Sequence, residues 1–173
     1  MGELDHAAYL WVAAHRVRVL DGLMWLLSAV GRSGLIWLAI GMGLTLLGRF
    51  RRRDLLQLAL ALTATYLAVD GVIKPTVDRA RPFERLPAAQ VIGDRPIDAS
   101  FPSGHAASAV AAAWTLTRLV PAGAIGWWAL ALGIGGSRVY LGVHYPLDVL
   151  GGVFVGVACA VLIEIGIRAK SGP

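Results

Sequence analysis

Ser137 to Asp148 reads SRVYLGVHYPLD, a polar stretch between two apolar runs, Ala122 to Gly136 and Val149 to Ile163. An arginine, a histidine and an aspartate are costly to keep beside apolar segments, which marks them as working groups. His144 and Asp148 stand four apart. Pro146 between them suits the first turn of a helix, where a missing N–H is no loss. Asp148 then falls in that turn, favoured by the helix dipole and within reach of His144. A carboxylate-held imidazole has one nitrogen fixed as donor and the other free to attack or to accept a proton. Arg138 adds a planar fork suited to an oxyanion.

Outward from this stretch the chain is apolar. Of 173 residues, 57% are hydrophobic and only 16% charged, and the mean hydropathy is +0.65, which excludes an ordinary soluble domain. Five apolar segments stand out: Gly34 to Gly48, Leu55 to Ile73, Ala106 to Val120, Ala122 to Gly136 and Val149 to Ile163. Several are shorter than the roughly 20 residues that cross a bilayer, but polar flanks can extend each into the headgroup zone. The expected fold is all-α, a polytopic membrane helix bundle of five transmembrane helices in one domain, residues 1–173. Residues 1–32 read as an N-terminal interfacial region. Its recurring Leu10, Ala13, Ala14, Val17 and Leu20 suggest an amphipathic helix at the membrane surface, and Asp21 is placed to cap a second piece, Gly22 to Val30. Whether residues 7–31 form a sixth span stays open. Charges at Glu3, Asp5, Arg16 and Arg18 argue against a signal peptide.

The pI near 10 does not call for nucleic acid, because the basic residues cluster at the ends of apolar runs. Cys159, the single cysteine, allows no intramolecular disulfide and reads as a small apolar residue. Gly133, Gly135 and Gly136, and Gly152 with Gly156 at GxxxG spacing, predict close helix contacts.

Two further polar clusters accompany the first. Phe101 to His105, FPSGH, opens an apolar segment with a helix start whose N–H groups can point at an anion. Lys74 to Pro82, KPTVDRARP, puts Lys74, Arg79 and Arg81 in one short loop. Alternation of five spans brings all three clusters to one membrane face. The opposite face carries Arg49, Arg51, Arg52, Arg53, Arg118, Arg168 and Lys170, and is cytoplasmic by the positive-inside rule. The clustered face then looks to the periplasm or cell exterior, in the inner or plasma membrane. Cations, helix-start N–H groups and two histidines are equipment for holding and moving a phosphoryl group.

Lys74 with six residues before Arg81-Pro82, then Pro102-Ser103-Gly104-His105, then Ser137-Arg138 with five residues before His144 and three more before Asp148, resembles the three-part signature of the type-2 phosphatidic-acid phosphatase and haloperoxidase superfamily. The resemblance covers Lys74 to Asp148 with all three parts in order. It implies a metal-independent membrane phosphatase, without cofactor, acting through a phosphohistidine. His144 would be the nucleophile and Asp148 would hold its imidazole. His105 would protonate the leaving oxygen and then activate water. Lys74, Arg81, Ser103, Gly104 and Arg138 would bind the phosphate.

The expected partners are the bilayer and a lipid phosphate or pyrophosphate. Undecaprenyl pyrophosphate fits an outward-facing site best; phosphatidylglycerol phosphate, phosphatidic acid and phosphorylated lipid A stay open, as does oligomeric state. A vanadate haloperoxidase would bind the metal oxyanion through His144, but five apolar spans argue against it. A noncatalytic lipid-binding or transport protein would have no need of two histidines at these spacings. Residues 75–101, the one long connection, are expected outside the membrane, covering the site or meeting the headgroup. Asp70 is placed to pair with Lys74 one turn away. Arg79 reads either as a further phosphate ligand or as a surface charge. His6 and His15 read as surface histidines.

Overall fold

The computed structural model describes residues 2–170. The side chains of Ser33 and Lys170, the latter counted above among the tail cations, lie outside the described part. The regular structure of the described residues is all helical, with α1 Glu3–Ala14, α2 Arg18–Gly31, α3 Leu35–Leu46, α4 Arg52–Tyr66, α5 Lys74–Val77, α6 Pro82–Arg85, α7 Gly104–Leu119, α8 Ala124–Tyr140 and α9 Pro146–Lys170.

Helix α7 is the centre. Its sequence is rich in alanine, and Ala106, Ala107, Ala109, Ala111, Ala112 and Ala113 are all buried. Small side chains on every face let α4, α8 and α9 approach it at once. The GxxxG pair of α9 meets it at backbone distance: a Cβ on Gly152 would fall 2.5 Å from the Ser103 carbonyl oxygen, and one on Gly156 would strike that of Ala107. Gly133 and Gly135 also face neighbours, Leu27 and Val149. Gly136, expected to join them, faces open space. At the far end of the bundle Glu164 gathers Arg118, Arg168 and the Trp114 indole N–H. Large apolar side chains such as Leu150, Phe154, Leu162 and Ile165 point outward from α9, as expected of a surface that meets lipid.

Five spans are not confirmed. Among the described residues two runs are long and apolar enough to cross a membrane, Arg52–Arg85 and Pro146–Ala169, and a third exists if α2 and α3, bent by 69°, count as one. Helices α7 and α8 have 16 and 17 residues, about 24 to 26 Å at 1.5 Å per residue.

The N-terminal region also differs from expectation. One amphipathic helix through Leu20 is replaced by a break at residues 15–17. Asp21 lies inside the first turn of α2, where it accepts the Tyr140 hydroxyl at 2.7 Å. Leu10, Val17 and Leu20 are exposed, whereas Asp5 and Tyr9 are buried. Helix α1 docks instead through Asp5, which meets Arg79 and the Leu147 N–H, and through Tyr9, which packs with Val139 and Tyr145.

Between α4 and α5 the helix widens: Leu67–Ile73 is π-helical, and the Lys74 N–H reaches the Val69 carbonyl five residues back. Such widenings recur at functional sites.

Candidate active site

Helix α9 starts at Pro146 with Asp148 in its first turn, as the spacing predicts. Asp148 is fully buried. Its Oδ2 accepts the Ser100 hydroxyl at 2.5 Å and the Tyr145 N–H at 2.8 Å, and lies 3.5 Å from His144 Nδ1. Its Oδ1 accepts from Arg79. The other imidazole nitrogen, Nε2, lies 3.4 Å from Arg81 Nη1. One edge of the ring is thus held by the carboxylate and the other is presented to a cation. Burial, with Arg81 and Arg138 nearby, pulls the His144 pKa to about 4 against the pull of Asp148 the other way. The resting imidazole is neutral, the form that can attack.

His144 fronts a cavity of about 630 Å3, lined by Lys74, Arg81, Arg138, His105, Asp70 and Asp98 together with apolar residues including Leu38, Ala59, Leu62 and Val69. His105 Nε2 and Arg138 Nε are buried without a hydrogen-bond partner. Arg138 spends its Nη1 on Ser28 of α2. Unmet buried polar atoms are expensive unless a ligand completes them.

The long connection is docked across these polar residues. Arg81 donates to the Asp98 carbonyl at 2.7 Å, the Val143 carbonyl at 2.7 Å and Asp98 Oδ1 at 2.8 Å. Lys74 pairs with Asp70 Oδ1 at 2.7 Å and, more closely, with Asp98 Oδ2. Burial pushes the Asp98 carboxyl up, but the Lys74 and Arg81 cations outweigh it and hold the pKa at about 2. Asp98 therefore bridges two cations, and any anion entering the cavity must compete with it. The Ile92 N–H bonds the Leu141 carbonyl at 3.0 Å. Beside it Gly142 turns through φ 84°, and a Cβ there would strike the Gln90 carbonyl.

The structure brings Lys74, Arg81, Gly104, His105, Arg138 and His144 to one cavity wall, with Asp148 directly behind. Ser103 differs: it does not line the cavity and is fully buried, its hydroxyl accepting the Ala106 N–H at 3.5 Å as the cap of α7. Asp70 pairs with Lys74, as its spacing suggests. Arg79 is neither phosphate ligand nor surface charge; it is held between Asp148 and Asp5. His6 is half-buried and stacks on Tyr145 with ring centroids 5.1 Å apart, whereas His15 is exposed. Asp5, Asp98 and Ser100 went unread as site residues, since only tertiary contacts bring them here.

A sequence profile of the PAP2 superfamily matches residues 54–170. An undecaprenyl-diphosphatase of Sulfolobus acidocaldarius is 34% identical over 149 residues, 82% of this chain and 68% of the relative. A decaprenylphosphoryl-5-phosphoribose phosphatase of Mycobacterium tuberculosis is 38% identical over 148 residues, 80% of this chain and 75% of the relative. The crystal structure of a transmembrane PAP2-type phosphatidylglycerolphosphate phosphatase from Bacillus subtilis superposes with a TM-score of 0.74 at 28% identity, covering 96% of this chain and 85% of that one.

Proposed function

The chain belongs to the PAP2 superfamily of membrane lipid phosphatases, hydrolases of phosphoric esters or diphosphates, and on that premise we propose that it works through a phosphohistidine at His144, with undecaprenyl pyrophosphate as the preferred substrate. The carrying observation is the orientation of His144, whose Nδ1 faces the buried Asp148 while Nε2 faces Arg81.

The lone pair of Nε2 attacks phosphorus as the bond to the leaving oxygen breaks, and His105 gives that oxygen its proton. Water then attacks phosphorus, passes a proton to His105, and releases inorganic phosphate as the N–P bond breaks. Lys74, Arg81, Arg138 and the Gly104 N–H neutralise the charge that spreads over the nonbridging oxygens. Ser103 supports this by fixing the start of α7. Arg138 Nε, a buried donor without a partner, suits an oxyanion, His105 Nε2 is a free ring nitrogen for proton transfer, and the apolar lining of the cavity suits a lipid tail.

The prenyl diphosphatase relative favours a diphosphate. The decaprenylphosphoryl-5-phosphoribose phosphatase relative favours a prenyl-linked phosphomonoester as the second reading. We place the site on the outer face of a cell membrane, residues 75–101 outside it, because Arg49, Arg51, Arg52, Arg53, Arg118 and Arg168 cluster away from it in the sequence; the whole of residues 1–173 acts as one domain.

Phosphate release by purified protein in detergent and EDTA tests this. Wild type should hydrolyse undecaprenyl pyrophosphate faster than phosphatidic acid or phosphatidylglycerol phosphate, and His144→Ala should be inert. Wild-type-like release by His144→Ala would overturn the nucleophile assignment.

A further inference from the structure

Behind the dyad lies a buried chain of charges that the reaction as written does not use. Arg79 donates through Nη1 to Asp148 Oδ1 and through Nη2 to Asp5 Oδ2, the latter at 2.5 Å. Asp5 sits on α1, and its Oδ1 accepts the Leu147 N–H at 2.9 Å, in the first turn of α9. The Asp5 and Asp148 side chains are 1% and 0% exposed, and Arg79 11%. The guanidinium also covers the Tyr145 ring, 4.1 Å from its centroid. Tyr145 is packed by His6 and by the edge of Tyr9, both from α1.

We propose that Asp5 and Arg79 are positioning residues for the reaction, and that α1 is a working part of the catalytic apparatus because it carries the outer end of this relay. The inference rests on His144 being the nucleophile.

The argument is one of geometry and charge. A planar guanidinium bonded to both carboxylates fixes where Asp148 can place its remaining oxygen. It also decides how strongly Asp148 attracts a proton to His144. The charged and titratable groups facing the dyad are Arg79 and Arg81 from the segment after α5, Arg138 of α8, His105 of α7, Asp5 of α1, Tyr145, and Asp98 farther off. With Arg79 in place, Asp148 already has a cation, and the imidazole need not become one. Without Arg79, the buried Asp148 and Asp5 carboxylates lose the cation they share, and protonating the imidazole beside Asp148 would be the nearest relief. Without the charge on Asp5, Arg79 is left wholly to Asp148 and the imidazole stays neutral. Loss of either end therefore slows the reaction, but only loss of the arginine moves the histidine titration upward.

The test compares kcat/KM against pH for wild type, Arg79→Gln, Arg79→Lys and Asp5→Asn, with trapping of acid-labile phosphate on His144. Ionisation of the substrate is common to all four and cancels. Arg79→Gln should lose about 10- to 100-fold in kcat with little change in KM, and its acid limb should rise by about one pH unit or more. Arg79→Lys should bring the limb back. Asp5→Asn should lose rate with no rise of the limb. An unmoved limb in Arg79→Gln, or one raised equally by Asp5→Asn, overturns the relay. If Arg79→Gln does not fold, the other two variants carry the test: both keep a cation on Asp148, and a raised limb in either overturns it. Absence of phosphohistidine from the wild type would instead overturn the reading on which the relay depends.

Discussion

Two regions of the site hold a cation against a carboxylate, and they are built for opposite purposes. Behind His144, Arg79 is clamped by Asp148 and Asp5, both essentially without solvent exposure. In front of it, Lys74 and Arg81 are bridged by Asp98, whose side chain is 47% exposed on an irregular connection. A buried ion pair loses heavily when one partner goes, whereas an exposed carboxylate can exchange its cations for water or for another anion at little cost. The rear pair is permanent scaffolding. The front pair occupies, in the resting protein, the charges a phosphate would use.

The sharpest way to break this contrast is Asp148→Asn. It keeps the shape of the rear pair but removes its charge and the fixed tautomer of His144, and turnover should fall roughly 1,000- to 10,000-fold. Single-turnover phosphoenzyme formation checks it, since the loss should fall on the attack step.

Arg81→Ala comes next. One oxyanion donor is removed together with the contacts to Asp98 and Val143, and kcat/KM should fall about 100- to 1,000-fold. Steady-state kinetics on a diphosphate and a monoester would show whether both suffer equally.

The pH dependence is the third measure. Because the His144 pKa is lowered to about 4 from an ordinary value near 6.5, the free imidazole stays neutral on acidification until about pH 4. The acid limb of kcat/KM that belongs to His144 should therefore lie near 4. The sign for stability follows: the folded-state pKa is depressed, so this contribution is complete above about 6.5 and is lost as pH falls through 4. Thermal melting across that window reads it separately from activity.

The smallest effect sharpens the comparison most. Asp98→Asn should tighten inhibition by inorganic phosphate about 2- to 5-fold, the worth of an ion pair near the surface, while leaving the acid limb in place. Weaker phosphate inhibition in that variant would mean that Asp98 orients Arg81 rather than competing for it.

How much of this was legible in the sequence follows the same division. Lys74, His105, Arg138 and His144 converge because each stands near the end of an apolar segment, with Arg81 in the short loop after Lys74, and alternation of segments is a local rule. The Pro146 helix start and the Gly152–Gly156 contact were readable for the same reason. The rear scaffolding was not, because Asp5 meets Arg79 across 74 positions and Leu147 across 142. No periodicity encodes such a pairing. The five-span count stays unconfirmed because hydropathy does not tell whether an alanine-rich segment such as α7 is wrapped by lipid or by other helices. Within the described residues α7 is wrapped by helices.

The widened turn at Leu67–Ile73 has a consequence for how such chains can change in length. An α-helix advances 100° per residue, so losing one residue from α4 at Leu60 would swing everything after it round the axis. The π-helical stretch already carries its Lys74 N–H five residues from Val69, so one residue fewer restores an ordinary four-residue step. Gly71, whose side faces open space, is the place for such a deletion, because Lys74 would stay on the cavity wall. The wide turn is thus a joint at which the wall can lose a residue while the cation it presents keeps its bearing.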